Sequence, residues 1–145
     1  MLRHLASLCT ILLLAAALAA SKSVSQQAPM QIQILNVQKN GGKVVVEIYN
    51  AKAEWLKKPF RRMTLAADDN TKKAVFEVPH GKYAISVYQD TNGNGELGMN
   101  FLQIPKEPVG FGNNYKPFGE PKFESALIDY GPTAQPAAIK LYSVF

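Results

Sequence analysis

The sequence predicts an all-β domain, a single antiparallel β-sandwich of about seven strands with one short helix and one long ordered loop. Three observations favour this fold class. Apolar and polar residues alternate in several short runs, which is the pattern of half-buried strands. Gly, Pro and Asn separate these runs where turns are expected. Residues 31–145 are enough for one domain with a hydrophobic core and too few for two.

Residues 1–20 are predicted to be a signal peptide and not part of the fold. Arg3 gives a positive start, residues 8–20 are apolar, and small residues suited to a signal peptidase close the run. This run is shorter than the roughly 20 residues of a spanning helix. A retained membrane anchor is the alternative. We therefore expect an exported protein, periplasmic or extracellular, with a flexible segment over residues 21–30 and no membrane span in the mature chain.

The cysteine count and the net charge bear on how the fold is stabilised and on which partners are expected. Processing after residue 20 would remove Cys9, the only cysteine, so the fold must be held by its core without a disulfide. The net charge of +5 favours anionic envelope material such as phospholipid or acidic polysaccharide. A modest net charge is also ordinary for a soluble domain.

The first two strands are predicted on either side of an Asn-Gly turn. Ile32 and Ile34 alternate with polar residues, and the run KVVVEIYN begins at Lys43. Residues 40–42 read Asn-Gly-Gly, a turn that tolerates positive φ. This arrangement predicts a β-hairpin.

The short helix is predicted over residues 51–58, where AKAEWLKK contains good helix formers and Pro59 ends it. It leads into the densest basic cluster, residues 57–62, which Trp55 and Phe60 flank. Basic and aromatic side chains together suit an anionic lipid or glycan. The alternative is a solvated connection whose aromatic residues turn into the core.

Strand-like alternation recurs over residues 73–78, 83–88, 123–130 and 138–142. In the last of these runs Ile139 and Leu141 are expected to face inward. Residues 76–90, FEVPHGKYAISVYQD, resemble the F–G-type hairpin of transthyretin-like and carboxypeptidase-regulatory-like sandwiches. The resemblance implies an immunoglobulin-like or transthyretin-like sandwich and no function.

The long loop, residues 90–114, is the most informative segment of the chain. Loops of this length in a compact domain are usually functional or disordered, and the repeated apolar residues here indicate order. Asp90, Asn92 and Asn94 stand at the first, third and fifth positions of a calcium loop. Gly95 follows at the bend, and the carbonyl of Glu96 comes next. The spacing therefore predicts a metal site.

Any calcium bound there is expected to be held weakly. Phe101 stands where the closing bidentate carboxylate belongs, and Glu107 is the acid that can approach from the following segment. Because calcium affinity follows ligand charge, one certain carboxylate predicts binding no tighter than roughly millimolar. The alternative is a structural loop whose Asp and Asn side chains bond nearby backbone amides.

The second half of the loop is a candidate ligand surface. It combines flat apolar faces with carboxylate and amide groups, on Phe101, Glu107, Phe111, Asn113 and Asn114. Such a combination suits sugars or peptides. It also suits a loop that packs back on its own sheet.

Enzyme chemistry finds little support in the sequence, and neither catalytic residues nor a firm cofactor is predicted. His80 lies in a tight turn, and the nucleophile elbow, zinc helix and phosphate loop motifs are absent. Hydrolysis by two of the carboxylates Asp90, Glu96 and Glu107 stays open. Nucleic-acid binding is not expected, because no reading motif is present.

A longer pattern resembles the bacterial exported family catalogued as domain of unknown function 2141. Its residues in this chain are Gly81, Tyr83, Ala84, Asp90, Asn92, Asn94, Gly95, Leu97, Ile104, Pro105, Glu107, Gly110, Phe111, Asn113, Asn114, Pro121, Phe123 and Ala126. This chain departs at Gly98, where the family usually has Asp, and at Gly112, which stands within its Gly-Phe-Ser-Asn segment. The resemblance implies an exported β-domain and no mechanism.

These observations together predict an exported, non-catalytic binding or accessory domain of the cell envelope, with its ligand surface on the loop of residues 90–114. An envelope protein or glycan is the expected partner. The alternatives are a calcium-stabilised structural domain and a hydrolase acting on envelope glycans.

Overall fold

Eight strands in two sheets form a β-sandwich over residues 28–145, the part of the chain that this computed structural model describes. The strands are β1 (Met30–Leu35), β2 (Lys43–Tyr49), β3 (Arg61–Ala66), β4 (Lys72–Phe76), β5 (Gly81–Asp90), β6 (Val109–Phe111), β7 (Leu127–Tyr130) and β8 (Ala137–Lys140). The predicted all-β sandwich is confirmed, with eight strands in place of about seven. The predicted signal peptide, residues 1–20, and residues 21–27 lie outside the described residues.

The smaller sheet has the strand order β4-β1-β8, and the larger sheet has the order β3-β2-β5-β6. The named pairings are antiparallel except for β1 with β8, which is parallel. β5 pairs with β2 along one edge, and its other edge is shared between β6 and β7. Because β5 ends at Asp90, the middle of the larger sheet leads directly into the long loop.

The main core lies between the two sheets. Ile32 and Ile34 of β1 face Val44, Val46 and Ile48 of β2 and are fully buried with them. Burying each of these side chains stabilises the fold by about 1.5–3 kcal/mol. Ile139 of β8 and Leu141, which follows the end of that strand, are buried as predicted.

A second hydrophobic cluster covers the outer face of the larger sheet. It is built on Val45 and Tyr49 of β2 and on Ala84 and Tyr88 of β5. The half-buried residues packed against it are Trp55, Leu97, Tyr115, Phe123, Leu127 and Tyr142. The sandwich therefore has a third layer made of loops, and Leu97 places the long loop in that layer.

The two predicted hairpins are wrong. β1 pairs with β4 and β8, whereas β2 pairs with β3 and β5, so residues 36–42 cross from one sheet to the other. Asn40 and Gly42 do adopt positive φ, at 63° and 74°. The inward faces of β1 and β2 bury the same core from opposite sides, which a hairpin in one sheet does not allow. β4 and β5 also lie in different sheets, so the F–G-type hairpin does not form.

Other elements differ from the sequence prediction in extent or type. Met30, assigned to the flexible segment, already belongs to β1, and residues 124–126 are a 3-10 turn ahead of β7. The predicted helix over residues 51–58 is only a 3-10 turn, Lys52–Glu54. Leu56 takes a φ of 55°, which is incompatible with a continuing right-handed helix. Within residues 28–145 no helix has the length and hydropathy that crossing a bilayer requires.

Candidate functional site

Asp90 anchors the first half of the long loop. Its carboxylate is 2 % exposed and accepts the backbone N–H groups of Gly93 at 2.9 Å, Asn94 at 3.2 Å and Gly95 at 2.9 Å. Gly93 and Gly95 have φ values of 72° and 82°, which glycine adopts without a side-chain clash. Three consecutive amides thereby converge on one carboxylate.

The two asparagines of the predicted metal site also bond the backbone. Oδ1 of Asn92 accepts the N–H of Asn94 at 3.1 Å, and Oδ1 of Asn94 accepts the N–H of Glu96 at 3.0 Å. These are successive Asx turns. The structure thus gathers Asp90, Asn92 and Asn94 in one turn, with Glu96 exposed at its end. The described residues contain no group of three or more His, Cys, Asp or Glu that could hold a metal ion.

Glu107 reaches the same turn from the far side of the loop. Its Oε1 accepts the backbone N–H of Thr91 at 2.8 Å and the Thr91 hydroxyl at 3.0 Å. Its Oε2 accepts the N–H of Gly98 at 2.9 Å. Glu107 is 4 % exposed, so it ties the two ends of residues 91–98 together from beneath and does not lie on the surface.

Phe111 is also buried, in β6, where its ring contacts the rings of Trp55 and Tyr115. The loop predicted over residues 90–114 therefore contains a strand near its end. Sequence reasoning missed β6 because it has only three residues, one of them glycine. Two of the five predicted surface residues, Glu107 and Phe111, thus belong to the interior.

Asn113 and Asn114 bridge two strand edges with their side-chain amides. Asn113 donates to the carbonyl of Leu127 at 2.7 Å, at the start of β7. Asn114 donates to the carbonyl of Ala138 at 3.0 Å and accepts the N–H of Lys140 at 2.8 Å, both in β8. Both asparagines adopt positive φ, 60° and 53°. The turn that holds the two asparagines is therefore tied to β7 through one amide and to β8 through the other.

The exposed large hydrophobic side chains of the loop lie on its tip, residues 99–105. Met99 and Pro105 form an isolated bridge, and Asn100 donates its N–H to the carbonyl of Ile104 at 2.9 Å. Oδ1 of Asn100 accepts the N–H groups of Leu102 at 2.9 Å and Ile104 at 3.0 Å. Phe101 is 90 % exposed and Leu102 is 63 % exposed, beside Met99 at 43 %. We call Met99, Phe101 and Leu102 the apolar tip.

A polar network on the sheet beneath the loop was not found by sequence reasoning. Arg62 pairs through Nε with Oε1 of Glu47 at 3.0 Å and donates through Nη2 to the Tyr88 hydroxyl at 2.8 Å. Tyr88 donates to the carbonyl of Gly95 at 3.2 Å, and Tyr49 donates to Glu47 at 2.6 Å. Burial raises the pKa of Tyr49, and its hydrogen bond to Glu47 adds to that rise.

The network could not be assembled from the sequence because its arginine lies on a strand that was not predicted. β3 begins with the basic residues Arg61 and Arg62, which were assigned to a solvated connection or a ligand patch. The available signal was the single Glu47 on a strand of apolar residues, since a buried carboxylate needs a partner of opposite charge, which a neighbouring strand can supply.

Similarity to a known protein family covers the chain from β1 to the start of β8. A family model described as "Uncharacterized protein conserved in bacteria (DUF2141)" matches residues 32–137. Neither a curated protein nor a solved structure matches the chain. Since the matched residues span most of the sequence and include the whole long loop, the chain belongs to this family of uncharacterized bacterial proteins, DUF2141.

Proposed function

We propose that this protein is an exported, non-catalytic binding or accessory domain of the cell envelope, and that its ligand surface is the apolar tip of the long loop. The observation that carries the proposal is the exposure of Phe101 and Leu102 on a loop that is otherwise committed to its own fold. Single exposed apolar residues are ordinary. Two adjacent large ones on a hydrogen-bonded turn favour a contact made with another molecule.

The rigidity of the tip supports binding. The Asn100 side chain and the Met99–Pro105 bridge fix the backbone before any ligand arrives. Asp90 and Glu107 fix the segment that leads to the tip. A preorganised loop loses less conformational entropy on binding than a mobile one, and the saving appears as affinity.

The positions of the titratable groups support a non-catalytic role. Asp90 and Glu107 are buried and each of their four oxygens accepts at least one hydrogen bond from the loop. General acid–base catalysis needs a carboxyl group within reach of a substrate proton. His80 rests edge-on against the ring of Tyr130, with centroids 5.0 Å apart.

Site-specific photo-crosslinking in exporting cells tests the proposal. A photoreactive phenylalanine analogue at position 101 should form an adduct with an envelope component. The same analogue at position 118 is the matched control, because Phe118 is fully exposed on another segment. Adducts at both positions, or at neither, would contradict a binding surface at the tip. A mature N-terminus found near residue 21 would support export, and an unprocessed chain in the cytoplasm would contradict it.

A second candidate, a calcium-stabilised structural domain with an envelope protein as partner, is favoured by one observation. Glu107 reaches the turn that holds Asp90 and Asn92, so the turn has two carboxylates where the spacing alone guarantees one. A calcium series after chelation would then raise the melting temperature by several degrees. Asn92→Ala should abolish that rise, and magnesium at equal concentration is the control. A flat response would remove this candidate.

A further inference from the structure

We propose that the apolar tip anchors the protein peripherally to a bilayer, with Phe101 and Leu102 inserted at the boundary between headgroups and acyl chains. This inference rests on the proposed function, because it uses the same surface and names an anionic phospholipid surface as the partner. The first argument is shape. The tip is a convex turn with its two largest side chains 90 % and 63 % exposed, and a convex apolar knob needs a surrounding medium or a matching pocket to cover it.

The second argument is the distribution of charge along the loop. Residues 97–105 read LGMNFLQIP and contain no charged side chain, while Glu96 and Lys106 stand immediately outside this stretch. A charged side chain is expensive to place in the hydrocarbon region, whereas Phe and Leu gain free energy there. The charge-free stretch is therefore confined to the part of the loop that insertion would bury.

The third argument is the state of the tip's backbone. Donors that enter an apolar medium without a partner carry a large desolvation cost. The N–H groups of Leu102 and Ile104 bond Oδ1 of Asn100, the N–H of Gln103 bonds the Asn100 carbonyl, and the N–H of Asn100 bonds the Ile104 carbonyl. Four backbone donors of the tip are thus already satisfied and would carry no such desolvation cost on insertion.

The fourth argument is the charge of the end of the sandwich that carries the tip. Lys43 lies opposite Asp90 in the β2–β5 ladder at the base of the loop, and the backbone N–H of Lys106 donates to the carbonyl of Gly98 just behind the tip. Exposed charges at this end include Lys39, Lys43, Lys106 and Lys140 against Asp69 and Glu96, while Asp68 is paired to Lys72. This small positive balance, in a chain of net charge +5, favours approach to anionic lipid.

Vesicle flotation tests the inference. The protein should float with phosphatidylcholine vesicles that contain phosphatidylglycerol, and less with pure phosphatidylcholine. The double variant Phe101→Ser, Leu102→Ser should lower the apparent affinity at least about tenfold, because two inserted side chains lose their apolar transfer free energy. Phe118→Ser, at an equally exposed phenylalanine, should leave binding unchanged. Both variants should retain the wild-type melting temperature, since the side chains removed are exposed.

Insertion depth gives a readout that charge attraction alone does not. In Phe101→Trp the added fluorescence should shift to the blue on vesicles and be quenched by brominated acyl chains. Phe118→Trp should do neither, against the common background of Trp55. A Trp at position 101 that stays in water, or a serine double variant that binds like the wild type, overturns the inference.

The outcomes also separate this inference from the proposed function. Absence of vesicle binding together with a protein or glycan adduct at position 101 would overturn the membrane anchor and leave the binding surface intact. Absence of both would overturn the two proposals together.

Discussion

At the scale of single residues, the carboxylate of Asp90 is the group on which the long loop depends most. It is buried at the end of β5 and accepts three consecutive backbone N–H groups. A carboxylate is the only short side chain that can accept this many bonds and still add the attraction of a full charge. The first half of the loop therefore takes its shape from one side chain.

Asp90→Ala is accordingly expected to lower the free energy of unfolding by about 2 kcal/mol, because three amides lose their acceptor while part of the loop can turn to water instead. Urea unfolding measures the change. Glu96→Gln is the matched control, since Glu96 is an exposed carboxylate of the same loop, and it should change stability by less than about 0.5 kcal/mol. Equal effects of the two substitutions would contradict the anchoring role of Asp90.

The sequence predicted that Asp90 and its neighbouring asparagines converge, but it left open what their oxygens bind. The Asp-x-Asn-x-Asn-Gly spacing predicts that these side chains converge, and they do. The same spacing serves a cation or a set of backbone amides, because both present positive charge to the oxygens. Glu107 lies too far along the chain for local spacing to pair it with Thr91 and Gly98. Its hydrogen bonds to these two residues therefore became evident only in the structure.

At the scale of elements, β3 is attached to the loop through Arg62. Arg62 neutralises Glu47, whose side chain is 11 % exposed, and holds the Tyr88 hydroxyl that donates to Gly95. An arginine on an edge strand therefore serves both the sheet face and the loop lying over it.

Arg62→Ala should lower the free energy of unfolding by about 1–2 kcal/mol, because Glu47 is left without its positive partner, although the half-exposed arginine site lets water screen it. Amide hydrogen exchange should also become faster around Gly95. Arg61→Ala removes a cation stacked at 4.4 Å over Phe60 and an exposed hydrogen bond to the Phe60 carbonyl. It should cost about 0.5 kcal/mol, with unchanged exchange in the loop. Equal exchange in both variants would show that Arg62 does not hold the loop.

Gly112, the residue after β6, lies so close to the 3-10 turn Glu124–Ala126 that no side chain fits there. A Cβ atom at Gly112 would lie 2.0 Å from the carbonyl oxygen of Ala126. Gly112→Ala should therefore destabilise the fold by about 2–3 kcal/mol, since backbone must move. Gly131→Ala, where a Cβ would meet nothing within 4 Å, should be nearly neutral in the same thermal and urea melts. A neutral Gly112→Ala would contradict this close approach.

Periodicity predicted β1, β2, β4 and β5 because each has one face in the main core. It missed β3, RRMTLA, because the strand opens with two arginines and its inward residues Met63 and Leu65 are only half-buried. It also did not show that β2 is buried on both faces, since Glu47 on the outer face reads as a solvent position. Which strands pair could not be predicted, because Asn40 and Gly42 permit a sheet crossing as readily as a hairpin.

At the scale of the whole molecule, the residues of the family pattern and the apolar tip have separate tasks. Pattern residues such as Asp90, Glu107 and Asn113 satisfy backbone groups, and Leu97 and Phe111 fill the second cluster. Met99, Phe101 and Leu102 lie outside the pattern and face solvent. The pattern residues therefore hold the loop in place, and the exposed residues to which we assign partner binding lie on the loop that they support.

Tyrosines packed in both hydrophobic clusters make the whole molecule less stable at alkaline pH. Burial raises the pKa of Tyr49, Tyr83, Tyr88 and Tyr142 above the ordinary value of 10.0. Above pH 10.0 the unfolded chain releases phenol protons that the folded chain retains. The unfolded state then binds fewer protons, so the free energy of unfolding falls as pH rises, by up to about 1.4 kcal/mol per pH unit for each such tyrosine.

Urea unfolding at a series of pH values above neutrality measures this slope, with phenolate absorbance followed in parallel. Below the ordinary tyrosine pKa these groups should contribute almost nothing to the change in unfolding free energy with pH. Above that pKa their contribution should be negative. Tyr49→Phe should reduce the slope by an amount that corresponds to about one proton, because the hydroxyl removed is the one buried against Glu47. The loss of that hydrogen bond adds a constant offset at every pH, which separates it from the slope. Complete phenolate absorbance at the ordinary pKa, with native circular dichroism retained, would contradict the burial of these hydroxyls.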